Sequence, residues 1–235
     1  MKIRFFNANY KREFKINEEF FNNVKSEFKT GSSIAIFTAI QFLDKIDEIS
    51  KKLEKIGYKI IKTTPDRCSS QCQILGCDSS WDNLKLPEKV DGFVYIGDGY
   101  FHPNALLFAQ ENREKFIPVL VYNIVQDEIK TIGIDIIEKN LKKRKGNLMK
   151  FYMSEKIGVY VSTKWGQEFK NMSLKLKDMY PEKKFYFFIG DNFNESEMDN
   201  FSWVDCWINT ACPRIGQDDV IRQSKAVVNI RDILK

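Results

Sequence analysis

One feature constrains this chain more than any other: short runs rich in β-branched and aromatic residues alternate with helix-length stretches whose apolar residues recur every three or four positions. That alternation is expected of strands buried on both faces beneath crossover helices. The first strand is expected over 34–37, followed by Thr38 to Gln41 and a helix over 42–56, where Leu43, Ile46, Ile49, Leu53 and Ile56 share one face. Gly57 stands where a helix commonly closes. A strand over 58–62, a cysteine-bearing loop over 63–81 and a strand over 92–96 follow, the last stopping at Gly97, Asp98 and Gly99.

The second half restates this plan, with a strand over 157–161, a turn over 162–167, a helix over 168–179 and a strand over 184–189. Both halves place a threonine-containing turn and a glutamine after a strand, in IFTAIQ and VSTKWGQ. Both later carry a Val-Asp pair leading into a strand, in VDGFVYIGDG and VDCWINTACPR. The expected architecture is therefore α/β: two similar Rossmann-like units with parallel-type sheets. Residues 1–29 read as a lead-in, 30–146 as the first unit and 147–235 as the second, joined near the basic stretch 139–145, which reads as a solvated linker.

Composition removes several classes. Hydrophobic residues make up 43% of the 235, and 19 Phe and 9 Tyr are spread along the chain, which excludes disorder, a collagen-like repeat and a disulfide miniprotein. The most apolar runs, IPVLVYNIV and KKFYFFIG, are far shorter than the roughly 18 residues a membrane span needs. No membrane partner and a cytoplasmic location are expected. The net charge of +5 is modest and concentrated at 139–145, so no direct nucleic-acid partner is expected either.

Five cysteines without a secretory signal point to a reducing compartment and to thiols, metal ligands or catalytic sulfur rather than disulfides. Cys68, Cys72 and Cys77 share one loop; Cys206 and Cys212 flank the last strong strand of the second half. There is no Cys-x-x-Cys pair and His102 is the sole histidine, so zinc-ribbon and zinc-finger spacings are absent. The interval between Cys72 and Cys77 also departs from the ordinary three-cysteine loop of radical S-adenosylmethionine enzymes. Cys206, followed by Trp207 within a strand, reads as a core residue.

Four motifs occur in order: QILGCD at 73–78, VYIGDGYFHP at 94–103, VSTKWGQ at 161–167 and VDCWINTACPR at 204–214. Together they resemble the 2-(3-amino-3-carboxypropyl)histidine synthase family of diphthamide biosynthesis, from about Ser32 onward. Members of that family have three similar α/β units, each giving one cysteine to a 4Fe-4S cluster. The two units here resemble its second and third, and the family's first unit has no counterpart in this sequence.

The resemblance implies that Cys77 and Cys212 are cluster ligands, with the third coming from Cys68, from Cys72 or from another chain. Cys72 stands where the family more usually has glycine. The implied chemistry is transfer of a 3-amino-3-carboxypropyl group from S-adenosylmethionine to a histidine of translation elongation factor 2, the first step of diphthamide formation. The alternative is a non-catalytic or electron-relay partner subunit of such an enzyme. A transferase of this type needs an electron donor, and the missing unit implies a homodimer or a heteromer with a chain supplying it. Candidate cofactor-binding residues, all at expected strand exits, are Gln41, Gly97, Asp98, Gly99, Lys164, Gln167 and Arg214. His102 reads as a structural hydrogen-bonding residue.

Overall fold

A computed structural model describes residues 10, 16–164, 170–192 and 194–234. The chain divides into two compact units, Met1–Ile136 and Ile137–Lys235.

In the first unit, α1 (Glu18–Glu27) begins where the Asn17 side chain accepts a hydrogen bond from the Phe20 amide at 2.9 Å. It buries Phe20, Phe21 and Val24 in the core of this unit, so the described part of the expected lead-in is integral to it. Strand β1 (Ser33–Thr38) leads through a 3-10 turn at Ile40–Lys45 into α2 (Ile46–Lys55). The tighter first turn replaces the expected continuous helix over 42–56 and places Phe42 in the core. Gly57, at φ +100°, follows the helix as expected.

Next come β2 (Lys59–Ile61), β3 (Gly92–Gly97), α3 (Phe101–Phe108), β4 (Val119–Asn123) and β5 (Glu128–Ile132). The sheet order is β2-β1-β3-β4-β5. The first four strands are parallel, whereas β5 returns antiparallel to β4 around Asp127, a non-glycine residue at φ +49°. This hairpin is not legible in the sequence pattern, because β5 is a largely exposed edge strand, EIKTI, without an apolar run.

The second unit opens with α4 (Glu138–Met153). The basic stretch 139–145 is thus a helix and not a linker, and a boundary after residue 146 would cut it. Phe151 and Asn147 face inward while Lys139, Lys142, Lys143 and Lys145 are exposed, which is how an amphipathic helix accommodates such a charge run. Lys142 also pairs with Glu138 one turn earlier at 2.7 Å.

Strand β6 (Lys156–Ser162), helices α5 (Lys170–Leu174) and α6 (Leu176–Met179), β7 (Lys184–Gly190), α7 (Glu195–Met198), β8 (Cys206–Asn209), β9 (Val227–Asn229) and α8 (Ile230–Ile233) complete the unit. Its sheet is parallel throughout, in the order β7-β6-β8-β9. The core groups Phe151, Ile157, Val159, Leu176, Ile208 and Val228, and each such side chain contributes about 1.5–3 kcal/mol when fully buried. Among the described residues, no helix is long and apolar enough to cross a membrane.

Candidate functional site

In open α/β sheets, side chains beyond the carboxyl ends of the strands meet at one edge, where the backbone leaves the ladder and can approach a ligand. Gln41 follows β1; Gly97 ends the neighbouring β3, and Asp98 and Gly99 follow it. Lys164 follows β6, and Cys212 and Arg214 follow the neighbouring β8. Each unit therefore gathers its own predicted residues at one sheet edge. Gln167 lies outside the described residues. A cleft at the opposite edge of the first sheet, bordered by Ser32, Asp91 and Pro118, contains none of them.

The cysteine loop of the first unit is stitched to the end of β1. Thr38 forms a parallel bridge with Gln73, donates its amide to the Cys72 carbonyl at 2.8 Å and accepts from the Ile74 amide at 3.0 Å. Cys72 sits at φ +63°, a left-handed backbone conformation that glycine adopts most readily. Its side chain is packed into the hydrophobic core, and burial pushes the thiol up to about 12.

Cys68 is different. It is half-buried and its Sγ donates to Asp78 Oδ2 at 3.3 Å; burial and then the Asp78 charge raise its pKa, with a further contribution from the nearby Cys77. Cys77 is half-buried, preceded by Gly76, where a Cβ would stand 2.3 Å from the Phe101 ring. Asp78 is fully buried, its carboxyl raised by burial, and its Oδ1 has no hydrogen-bond partner. Sequence reasoning passed over Asp78; its place directly after Cys77 in QILGCD was the available signal.

At the exit of β3, a Cβ on Gly97 would stand 2.5 Å from the Tyr95 hydroxyl, and Gly99 adopts φ +56° with open space around it. Asp98 is exposed. Tyr95 is buried, its hydroxyl lacks a hydrogen-bond partner, and burial followed by the Asp98 charge raises its pKa. The ring of His102 stacks parallel to Tyr95 at 6.5 Å. Gln41 is half-buried in the turn after β1.

In the second unit, the exposed Lys164 donates Nζ to Asn192 Oδ1, and the Thr163 hydroxyl donates to Asp191. These contacts join the loops after β6 and β7. Cys212 is half-buried in the loop after β8, whereas Cys206, at the start of that strand, is buried in the core with its thiol pushed up to about 12. The core reading of Cys206 therefore agrees with its position. Arg214 is buried with its guanidinium paired to Asp218, so its charge is already met within the unit.

The donor chemistry sorts the cysteines. Cys68, Cys77 and Cys212 are half-buried residues on irregular segments, outside the apolar cores, the kind of position from which a thiolate can ligate an iron-sulfur cluster. Cys72 and Cys206 are committed to apolar cores. Among the described residues, no three His, Cys, Asp or Glu side chains form a metal-holding group.

Residues 6–233 match the profile of the diphthamide synthesis protein family. The chain belongs to that family. Among relatives of the diphthamide synthesis family, 2-(3-amino-3-carboxypropyl)histidine synthase of Pyrococcus horikoshii is 27% identical over 216 residues, covering 90% of this chain and 59% of the relative. The protein of the same name from Methanocaldococcus jannaschii is 29% identical over 223 residues, covering 93% and 56%. The chain thus spans somewhat over half the length of these relatives. The crystal structure of Dph2 from Pyrococcus horikoshii with a 4Fe-4S cluster superimposes with a TM-score of 0.73 at 23% identity, over 92% of this chain and 59% of that one. The resemblance drawn from the four motifs and the α/β fold class both hold.

Proposed function

We propose that this chain is the cluster-binding part of a transferase that moves a 3-amino-3-carboxypropyl group from S-adenosylmethionine to a histidine of translation elongation factor 2. The carrying observation is the contrast between Cys77 and Cys212, each half-buried on a loop at a strand-exit edge, and Cys206, sealed in a core. Cys77 and Cys212 are the proposed ligands of a 4Fe-4S cluster. Cys68 is the better third candidate than Cys72, because it lies outside the hydrophobic core and its sulfur contacts Asp78, the residue after Cys77.

The chemistry such a cluster supplies when bound is one-electron reduction of the sulfonium, with methylthioadenosine as the other product. The chain's residues bind and orient. Lys164 offers an exposed ammonium to the carboxylate of S-adenosylmethionine. Gly99 leaves the backbone open beside the exposed Asp98, which suits the amino group, Gly97 lets the chain pass against the Tyr95 hydroxyl, and Gln41 adds an amide on the adjacent strand exit. Gln167 belongs to the same proposed set. Arg214, held by Asp218, shapes the turn after Cys212.

The proposal includes dependence on another polypeptide, as the family resemblance implies. A second copy or a chain supplying the first unit would complete the ligand set, and an electron donor would reduce it. The second reading is a non-catalytic or electron-relay subunit of such an enzyme. The cytoplasm is the proposed compartment.

Anaerobic iron-sulfur reconstitution tests the proposal, with iron counted and EPR recorded after dithionite reduction. The expected result is about four irons per site, lost in Cys77→Ala and Cys212→Ala. If Cys68→Ala is equally damaging the chain carries its own third ligand, and if the cluster forms only after a partner is added it does not. Retention of full iron by Cys77→Ala and Cys212→Ala would overturn the reading. Methylthioadenosine release with elongation factor 2 present separates the catalytic from the electron-relay role.

A further inference from the structure

The loop that carries Cys212 is held by two buried asparagines. Asn209 ends β8 and Asn229 ends β9, and they face each other as the last rung of that parallel pair. Their exposures are 1% and 4%. Asn209 Nδ2 donates to the Cys212 carbonyl and to Asn229 Oδ1, both at 2.8 Å, while its Oδ1 accepts from the Ala211 amide at 2.9 Å. Asn229 Nδ2 donates to the Pro213 carbonyl at 2.9 Å. The two amides thus grip the backbone at 211, 212 and 213, the residue bearing the sulfur and both of its neighbours.

The remaining contacts close the clamp. Thr210 donates both its amide and its hydroxyl to the Tyr160 carbonyl, at 3.1 and 2.7 Å, tying the loop to β6. Gly216 lies against the outer amide, since a Cβ there would stand 2.5 Å from Asn229 Oδ1. Buried amides with all their polar atoms satisfied are rigid, because any displacement strands a donor or acceptor away from water. A strand-exit loop needing only to turn could use solvent for these bonds; this one spends two buried side chains on them.

We propose that Asn209 and Asn229 are positioning residues that fix the backbone of Cys212 and thereby aim its sulfur. The inference rests on the reading of Cys212 as a cluster ligand. A rigid ligand loop holds the sulfur in place before the metal arrives and slows its release afterwards.

The test uses Asn209→Ser, which removes the amide clamp, and Gly216→Ala, which displaces Asn229 without removing a hydrogen-bonding group. The first readout is the rate of iodoacetamide labelling at Cys212 in the folded apoprotein, resolved by peptide mass spectrometry. Both variants are expected to label Cys212 about tenfold faster than wild type, as weakening of the two or three buried hydrogen bonds each amide makes implies, with Cys77 unchanged and Cys206 still protected. The second readout is iron release from reconstituted protein, with EPR of the reduced cluster; faster release and a broadened signal are expected. Folded variants with labelling and release within about twofold of wild type would overturn the positioning role.

If neither variant folds, hydrogen exchange on the wild type decides, since the Ala211 amide should be protected as strongly as those of β8. Exchange at open-loop rates would overturn the inference. Full iron retention by Cys212→Ala would instead remove the ligand reading, while the labelling result still reports on the clamp.

Discussion

The hydroxyl of Thr38 donates a 2.6 Å hydrogen bond to the carbonyl of Ile96, its register partner on the adjacent parallel strand. Thr38 is completely buried, and its own amide and carbonyl are engaged by residues 72 and 74. One side chain therefore couples the exit of β3, with its Gly97 turn, to the cysteine loop. Replacement by valine keeps the volume and β preference but strands the Ile96 carbonyl. Thr38→Val is expected to cost about 1–3 kcal/mol, measured by urea unfolding, and to speed labelling at Cys68. An unchanged unfolding midpoint would show that the bond is dispensable.

Gly158, in the centre of β6, faces the Trp207 ring so closely that a Cβ would stand 2.7 Å from it. The ring is buried among Phe188, Phe201 and Val227 and has little room to retreat. Gly158→Ala should destabilise the second unit by about 1–3 kcal/mol, as overpacking does. Hydrogen exchange should quicken in β6 and β8 but not in β1 and β3. Equal quickening in both units would contradict a local effect.

Burial pushes the thiols of Cys72 and Cys206 up to about 12 from an ordinary value of 9.0. Between those values the unfolded chain has released protons that the native protein retains. Stability contributed by these groups is therefore complete below pH 9 and declines toward pH 12, by at most about 1.4 kcal/mol per pH unit per thiol. Unfolding midpoints measured from pH 8 to pH 10.5 should fall less steeply for Cys72→Gly combined with Cys206→Ala than for wild type. Parallel slopes would refute this assignment. At pH 8 neither thiol should react with iodoacetamide in the native state.

Lys164 reaches across to Asn192 from an exposed position after β6. A carboxylate binding there would form a charge-assisted bond, so Lys164→Ala is expected to weaken S-adenosylmethionine binding about tenfold or more. Isothermal titration on reconstituted protein measures this, and iron content should be unchanged. Wild-type affinity in the variant would remove Lys164 from the proposed site.

The strands β1, β3, β6, β7 and β8 were legible because their runs of β-branched and aromatic residues are a local property, readable from neighbours in sequence. The family was legible for a related reason: its motifs sit at strand exits, where backbone demands such as those at Gly97 and Gly99 restrict residue type locally. The β4–β5 hairpin escaped because an exposed edge strand has no face to declare. The helix over 139–145 escaped because its charges dominate the pattern while only a narrow stripe, ending at Phe151, faces inward.

What the sequence alone determined is the α/β class, the repeat of one plan in both halves, and the identity of the cysteines worth testing. Tertiary structure decided which of those cysteines are sealed and which are accessible, and which polar groups hold their loops. Cys206 and Cys212 are six positions apart, yet one lies in a core and the other beyond a strand end. Asn209 meets Asn229, and Thr38 meets Ile96, only through strand register. Register is set by the packing of whole strands against their helices, so a contact between residues distant in sequence leaves no periodic trace in either segment.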